Sequence, residues 1–314
     1  MELQIGVDVS SKWLDIEDGQ QNTFQIDNKP NAIERWLKSV KLPASIAMES
    51  TRIYHRLLAH MAFKAGLTVY VLNPRIVHHY AKGVGRRAKT DKVDARIIRR
   101  YLIKECDSVH SWQPLTEGQA LIDTLLNRRS LLVCKKQSIQ MACKDIASIS
   151  QEMKPALEAL NAFIQELEKI IVAKLKEEKH LTVQFKLLQS IPGIGVLTSA
   201  YMTNLLDKYT FKSADQLTCY LGMDLIYFDS GQKQSRRKLS KSGASEARRL
   251  LFNCARAASQ GALGSLYKSY SSRMNHTKAT VAMMRKLIKL IYGVWNSKQV
   301  FSLEKYGSPL LKTS

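Results

Sequence analysis

Three short strand-like runs follow one another at the head of this chain before any helix intervenes. Leu3 to Val9 alternates like a strand, and Leu14 to Glu17 and Thr23 to Ile26 follow after gaps of turn length. Strands joined so closely pair antiparallel, because a parallel return needs a crossover of roughly a dozen residues or more. The pattern then changes. Lys29-Pro30 opens a helix with Ile33, Trp36, Leu37 and Val40 at helical spacing and the proline in its first turn. A strand from Ser45 to Met48, a helix from about Ile53 to Ala65, a strand from Thr68 to Leu72 and a helix from an N-capping Thr90 to about Lys104 complete the region.

A meander followed by alternating helix and strand predicts a mixed sheet of the ribonuclease-H-like class rather than an all-parallel doubly wound one. Between roughly Leu115 and His180 strand signals vanish, and Pro155 divides two long helical stretches. In the second, Leu157, Leu160, Ile164, Leu167, Ile171 and Leu175 recur at steps of three and four, the seam of a coiled coil. An intramolecular hairpin and an intersubunit coiled coil share that pattern. A third region begins near Leu181, with turns at Pro192-Gly193 and Gly195, a polar basic loop from about Asp229 to Lys241, and helices on both sides. Its last helix, about Thr277 to Trp295, carries a broad apolar face of Val281, Met284, Leu287, Ile288, Ile291 and Val294, with Lys278, Arg285, Lys286 and Lys289 interspersed. The expected class is α/β plus α, divided at 1–108, 109–182 and 183–314.

Charge narrows the function. The 314 residues hold 48 Lys+Arg against 27 Asp+Glu, a formal +21 spread along the chain, which predicts a polyanionic partner. At 45% hydrophobic content the chain can bury real cores, which excludes a disordered binder. Its five cysteines are scattered without a C-x-x-C pair and read as reduced thiols. No secretory leader or membrane-length apolar run is present, so a cytoplasmic protein without a membrane partner is expected.

The acids are more specific. Asp8 stands between Val7 and Val9 inside an apolar strand, where a carboxylate costs several kcal/mol unless a cation or donors meet it. Glu49 closes the strand Ile46-Ala47-Met48. Asp91 and Asp94, three apart, share a helical face. Singly, such acids are usually solvated or capping residues. Together, an acid in the first strand, one ending a later strand and a D-x-x-D on the closing helix are what two-metal phosphoryl transfer requires. In so cationic a chain, four acids would repel phosphate unless metal intervened. Arg86, Arg87 and Lys89 flank the acidic pair, and Arg236, Arg237, Lys238, Lys241, Arg248 and Arg249 cluster in the third region. Both groups are expected to grip a nucleic-acid backbone. Gly193 and Gly195 fit either a helix-hairpin-helix turn holding phosphate on backbone amides or a plain tight turn.

The pieces Ile5-Gly6-Val7-Asp8, Met48-Glu49-Ser50-Thr51 with Tyr54, Leu72-Asn73-Pro74 and Lys89-Thr90-Asp91-Lys92-Val93-Asp94-Ala95-Arg96 resemble the DEDD-type transposases of bacterial insertion sequences, a family that includes the Piv invertases and bridge-RNA-guided recombinases. The likeness continues in order through Leu187 to Gly195, Tyr220-Leu221-Gly222-Met223, Asp229-Ser230-Gly231, Leu239-Ser240-Lys241-Ser242-Gly243, Met283 to Leu287 and Tyr292-Gly293-Val294. Met223-Asp224-Leu225 departs from the family's usual leucine followed by Thr-Pro or Val-Pro.

The resemblance implies a RuvC-like ribonuclease-H domain with Asp8, Glu49, Asp91 and Asp94 as ligands for Mg²⁺, Mn²⁺ substituting, and a C-terminal transposase domain with Ser230 as nucleophile. The residues alone do not single out Ser230 from Ser235, Ser240, Ser242 or Ser245. With no histidine near it in sequence, the serine would need activation by the metals, within one subunit or across a dimer. The resemblance also implies double-stranded DNA as substrate, a structured bridge RNA as guide, a homo-oligomer (dimer or dimer of dimers) and a place at the bacterial nucleoid. Two rival readings stay open: a metal-only junction nuclease in which Ser230 is idle, and a non-catalytic nucleic-acid-binding protein.

Overall fold

The computed structural model describes residues 3–19, 23–51, 53–85, 91–105, 109, 111–226 and 237–304, with backbone alone at residue 75 and at 91–93. Arg86, Arg87, Lys89, Thr90, Ser230 and Arg236 therefore lie outside the described residues, as does the side chain of Asp91. Two compact units emerge, Met1–Pro114 and Leu115–Ser314.

The first unit runs β1 (Leu3–Val9), β2 (Trp13–Glu17), β3 (Thr23–Asp27), α1 (Pro30–Leu37), β4 (Ala44–Glu49), α2 (His55–Lys64), β5 (Thr68–Leu72), α3 (Pro74–Gly83) and α4 (Asp91–Glu105). Its five strands lie in the order β3-β2-β1-β4-β5. The meander pairs antiparallel, while β1–β4 and β4–β5 are parallel. This mixed α/β sheet fits the ribonuclease-H-like expectation. Helix α3 is an addition to the sequence reading, held to the unit's smaller core by Val77 and Ala81.

On one face of the sheet, Ile5, Val7, Val9, Leu14, Ile16, Ile46, Met48 and Val69 build an apolar core with Ile33, Trp36 and Leu37 of α1 and Leu58, Ala59 and Ala62 of α2. Alternation along each strand sends the intervening residues to the opposite face. There Ala47 and Leu72 meet Val77 and Ala81 of α3 and Ile97, Ile98 and Leu102 of α4. Helices thus cover both faces, and α4 lies over β1.

Among the described residues, the second unit is helical apart from one short ribbon. Its elements are α5 (Glu117–Ala142), α6 (Ala147–Glu152), α7 (Lys154–Glu177), α8 (Lys179–Gln189), α9 (Val196–Lys208), α10 (Ala214–Tyr220), β6 (Leu225–Ile226), β7 (Lys238–Leu239), α11 (Ser245–Gln260), α12 (Gly264–Ser271) and α13 (His276–Ser297). Thr116 starts α5 with a capping box to Gln119. The α7 seam packs on α5 of the same chain: Arg129 meets Glu168, Lys136 meets Asn161, and Ile122 and Leu126 share a core with Ile171 and Leu175. The two helices therefore run antiparallel. Leu181, Phe185 and Ala200 join that core, so α8 and α9 add to the helix pair. The apolar face of α13 is buried as expected, with Met284, Leu287, Ile288, Ile291 and Val294 at the centre of the largest core.

Cys134, Cys143, Cys219 and Cys254 are free thiols. Among the described residues no helix is long and apolar enough to cross a membrane.

Candidate active site

The face of the sheet beneath α4 carries the acids. Asp8 pairs across strands with Asp15, and Asp15 with Gln25. One step beyond the Val7–Met48 pairing sets Asp8 beside Glu49, which itself pairs with Leu72. A single row across the sheet thus reads Gln25, Asp15, Asp8, Glu49, Leu72. Directly opposed residues share a face, with Cβ atoms roughly 4.5–5.5 Å apart. Asp8 and Glu49 are half-buried. Asp15 is only 5% exposed, and both its carboxylate oxygens accept from Gln25 Nε2 at 3.2 Å. The neighbouring row places Glu17, Gly6 and Ala47 side by side.

Gly6 explains how α4 reaches this row. A Cβ at Gly6 would lie 2.2 Å from the Ala95 carbonyl oxygen and 2.6 Å from the Arg99 nitrogen. Only glycine lets the helix backbone come so close. Arg99 Nε also donates to the Gln4 carbonyl at 2.7 Å. Gln4 meets Arg99 and Gly6 meets Ala95, so β1 and α4 run in opposite directions. Two strand residues rise about 6.6 Å and four helical residues about 6 Å, which keeps the elements in step. The next step brings Asp8 level with the first turn of α4, whose backbone carries Asp91 and Asp94. Asp94 is half-buried.

The structure thus brings Asp8, Glu49, Asp94 and the backbone of Asp91 to one end of one face. Among the described residues, no three His, Cys, Asp or Glu side chains enclose an ion by themselves. The described acids are half-buried carboxylates, Asp8 and Glu49 on strands and Asp94 on α4. Such a set suits a hard divalent cation. Sequence reasoning missed Asp15 and Glu17. Their signal was the two-residue period of β2, which puts both on the polar face of a strand neighbouring Asp8.

In the second unit, the two motifs around Gly222 and Gly243 meet each other. Gly222 has φ +66°, and a Cβ there would lie 2.6 Å from the Gly243 nitrogen; one at Gly243 would lie 2.2 Å from the Tyr220 carbonyl. Lys241 donates its backbone N–H to Gly222, Ser240 donates its own to the Asp224 carbonyl, and the Ser240 hydroxyl bonds the Asp224 carboxylate. Arg248 Nη1 donates to the carbonyls of Gly243 (2.6 Å) and Leu221 (3.2 Å), buckling the crossing from inside. Above it, β6 and β7 pair antiparallel.

Of the expected phosphate-binding residues here, Arg237, Lys238 and Lys241 are exposed. Arg248 is engaged in the clasp, and Arg249 is paired with Glu246 at 2.6 Å. Glu246 also binds Arg129 at 2.9 Å and Ser130 at 3.0 Å. Burial alone would raise its pKa, yet the hydrogen bond and charge of Arg249, with Ser130 and Arg129, hold it below the usual glutamate range.

Gly193 has φ +88°, and a Cβ there would lie 2.6 Å from the Cys254 carbonyl, so this glycine seats the turn on α11. Gly195 N-caps α9, with nothing within 4 Å of an added Cβ.

Comparison with known proteins agrees with this layout. Residues 5–146 match the DEDD transposase model of the IS110 type, and residues 185–271 match the model described as transposase IS116/IS110/IS902 family. The chain is 29% identical to the pilin gene-inverting protein of Moraxella lacunata over 318 residues, covering 95% of this chain and 97% of that protein, and likewise 29% identical to its Moraxella bovis counterpart. It is 25% identical to the transposase for insertion sequence element IS1328 of Yersinia enterocolitica, covering 83% of this chain and 86% of that one. In both matched segments, then, the chain is similar to the transposases of the IS110 insertion sequences.

Proposed function

We propose that this chain is a DNA transposase or invertase that cleaves and rejoins strands, binding divalent cation at Asp8, Glu49, Asp91 and Asp94 and attacking DNA with Ser230. The observation that supports this best is the acid row under α4, which Gly6 allows the helix to reach. Relatives named for gene inversion and for transposition support DNA as substrate. A Mg²⁺ ion held there, or Mn²⁺ in its place, would polarise a phosphoryl oxygen and ease displacement at phosphorus.

In this reading Ser230 Oγ bonds to phosphorus and the strand's ester oxygen departs with the shared electron pair, gaining a proton as the serine loses one. A hydroxyl of the recipient strand then attacks the same phosphorus, and Ser230 leaves and recovers its proton. The number of phosphoester bonds is unchanged, so no nucleotide triphosphate is consumed. Exposed Arg237, Lys238 and Lys241 bind backbone phosphates, with Arg86, Arg87, Lys89 and Arg236 in the same role.

A guiding structured RNA is part of the proposal, supported by the +21 charge. So is a homo-oligomer, supported by Leu131, Met141 and Phe163, which are exposed apolar residues on α5 and α7.

The test is incubation with labelled DNA carrying an element end, Mg²⁺ and the flanking noncoding RNA, followed by denaturing electrophoresis. The expected result is a covalent protein–DNA band that Ser230→Ala abolishes. Cut DNA without that band would make the protein a metal-only nuclease. Undiminished cutting by Asp8→Asn would remove the metal role, and equal recombination after RNA digestion would remove the guide.

A further inference from the structure

We infer that Glu17 is a positioning residue that acts through Arg96 to fix the register of α4, and with it the height of Asp91 and Asp94 over Asp8 and Glu49; this rests on the metal reading above. Glu17 is only 4% exposed, at a cost that few side chains repay without a specific contact. Its Oε2 accepts from Arg96 Nε at 3.3 Å and from Thr23 Oγ1 at 2.9 Å. Thr23 anchors the carboxylate to β3, and Arg96 carries that anchor to the helix two residues past Asp94.

The need for such a contact follows from how α4 is otherwise held. Ile97, Ile98 and Leu102 bury apolar surface against the sheet and α3. That attraction is non-directional and tolerates sliding along the helix axis. Directional bonds are what select one register. Such bonds run from Arg96 to Glu17 on β2 and from Arg99 to the Gln4 carbonyl on β1. The Arg99 guanidinium also lies against Gly19, where a Cβ would meet Nη2 at 2.8 Å. Together they brace α4 against two adjacent strands, just below the turn that bears the acids. Arg96 therefore serves the site from the helix surface, its Nε turned to the buried Glu17.

The test measures Mn²⁺ binding to the full chain by the loss of the free-ion paramagnetic resonance signal, with no DNA present. Glu17→Gln and Arg96→Gln are each expected to weaken binding roughly tenfold, the scale of lost outer-shell support. The double variant should be no worse than either single one, because both remove the same link. Arg96→Lys, which keeps the charge, should recover most of the affinity. Arg96→Gln keeps a side-chain donor for Glu17 and changes a side chain that is 58% exposed, so it should lower the metal-free melting temperature less than Glu17→Gln does and stays informative if that variant unfolds. Unchanged Mn²⁺ affinity in Arg96→Gln, or additive losses in the double variant, would overturn the inference while leaving the metal site standing. Failure of the unsubstituted chain to bind Mn²⁺ would overturn the metal reading itself, and the inference with it.

Discussion

Gly6→Ala is the sharpest single perturbation of this site. The added methyl would stand 2.2 Å from the Ala95 carbonyl oxygen, 2.6 Å from the Arg99 nitrogen and 2.7 Å from Arg99 Cβ. Two of these atoms are backbone and none can rotate away. Reaching an ordinary contact requires α4 to lift, or β1 to buckle, by roughly 1 Å. Overpacking of this kind costs about 1–3 kcal/mol, and a backbone obstruction puts the expectation at the upper end, about 3 kcal/mol. The same lift carries Asp91 and Asp94 away from Asp8 and Glu49, and a displacement of about 1 Å among reacting groups is worth on the order of 100-fold in rate. Stability is read by urea unfolding in metal-free buffer, followed by tryptophan fluorescence; three of the four tryptophans, Trp13, Trp36 and Trp112, report on the first unit. Strand cleavage is read in parallel. Gly83→Ala is the control, because nothing lies within 4 Å of its added Cβ, and it should be neutral or stabilising by about 0.5 kcal/mol. If Gly6→Ala unfolds within about 0.5 kcal/mol of the unsubstituted chain and cuts DNA at the same rate, the close approach of α4 is not what holds the site together.

Two further variants probe other parts of the argument. Glu246→Gln, which removes the shared partner of Arg129, Ser130 and Arg249, should cost about 3 kcal/mol at neutral pH. Because the folded carboxyl has a pKa below its ordinary value of 4.5, the unfolded chain takes up the proton first on acidification. Its stabilisation is therefore whole at neutral pH, declines as pH falls past the ordinary glutamate range, and is gone once the folded carboxyl itself protonates. Unfolding curves of the two proteins should converge as pH falls, and a gap that stays constant to pH 4 would contradict the assignment. Asp15→Asn removes the like charge opposite Asp8, so the metal-free protein should gain about 0.2–1 kcal/mol while the rise in melting temperature on adding Mg²⁺ shrinks. An undiminished Mg²⁺ response would show that Asp15 does not share the field of the ion.

How much of this was readable beforehand depends on the range over which each feature is encoded. The five strands of the first unit lie within a residue of where alternation places them, because period two is visible in a handful of residues. Asp8 and Glu49 were conspicuous for the same reason, as charged residues against an apolar background. Helix α3 was not foreseen: over its ten residues Val77 and Ala81 enter the core and Tyr80 packs partly against it, with His78, His79 and Lys82 between them, a run too short and too polar to stand out. The β6–β7 ribbon escaped because two residues on each side carry no period at all. The α7 seam was legible, but its partner was not, since apolar spacing says that a helix must be covered without saying by what. The partner α5 is fixed by buried charge, Arg129 reaching both Glu168 and Glu246.

The glycines show the deeper limit. Gly6, Gly193, Gly222 and Gly243 all fall in motifs that mark the family; Gly193 and Gly222 also answer to a local positive φ, but each of the four meets a partner remote in sequence. Gly6 answers to Ala95 and Arg99, Gly193 to Cys254 and Ala258, and Gly222 and Gly243 to one another. The same holds for Asp15 and Glu17, ordinary polar alternates of an outer strand until the meander's register sets them beside Asp8 and Gly6. A catalytic acid can be suspected from the cost of placing it in an apolar strand, because that cost is local. The residues that aim it become legible only when the elements they join are superposed. In this chain glycines at the crossings set how closely elements approach, and Arg96 and Arg99 tie α4 to the sheet; both look unremarkable in a basic sequence.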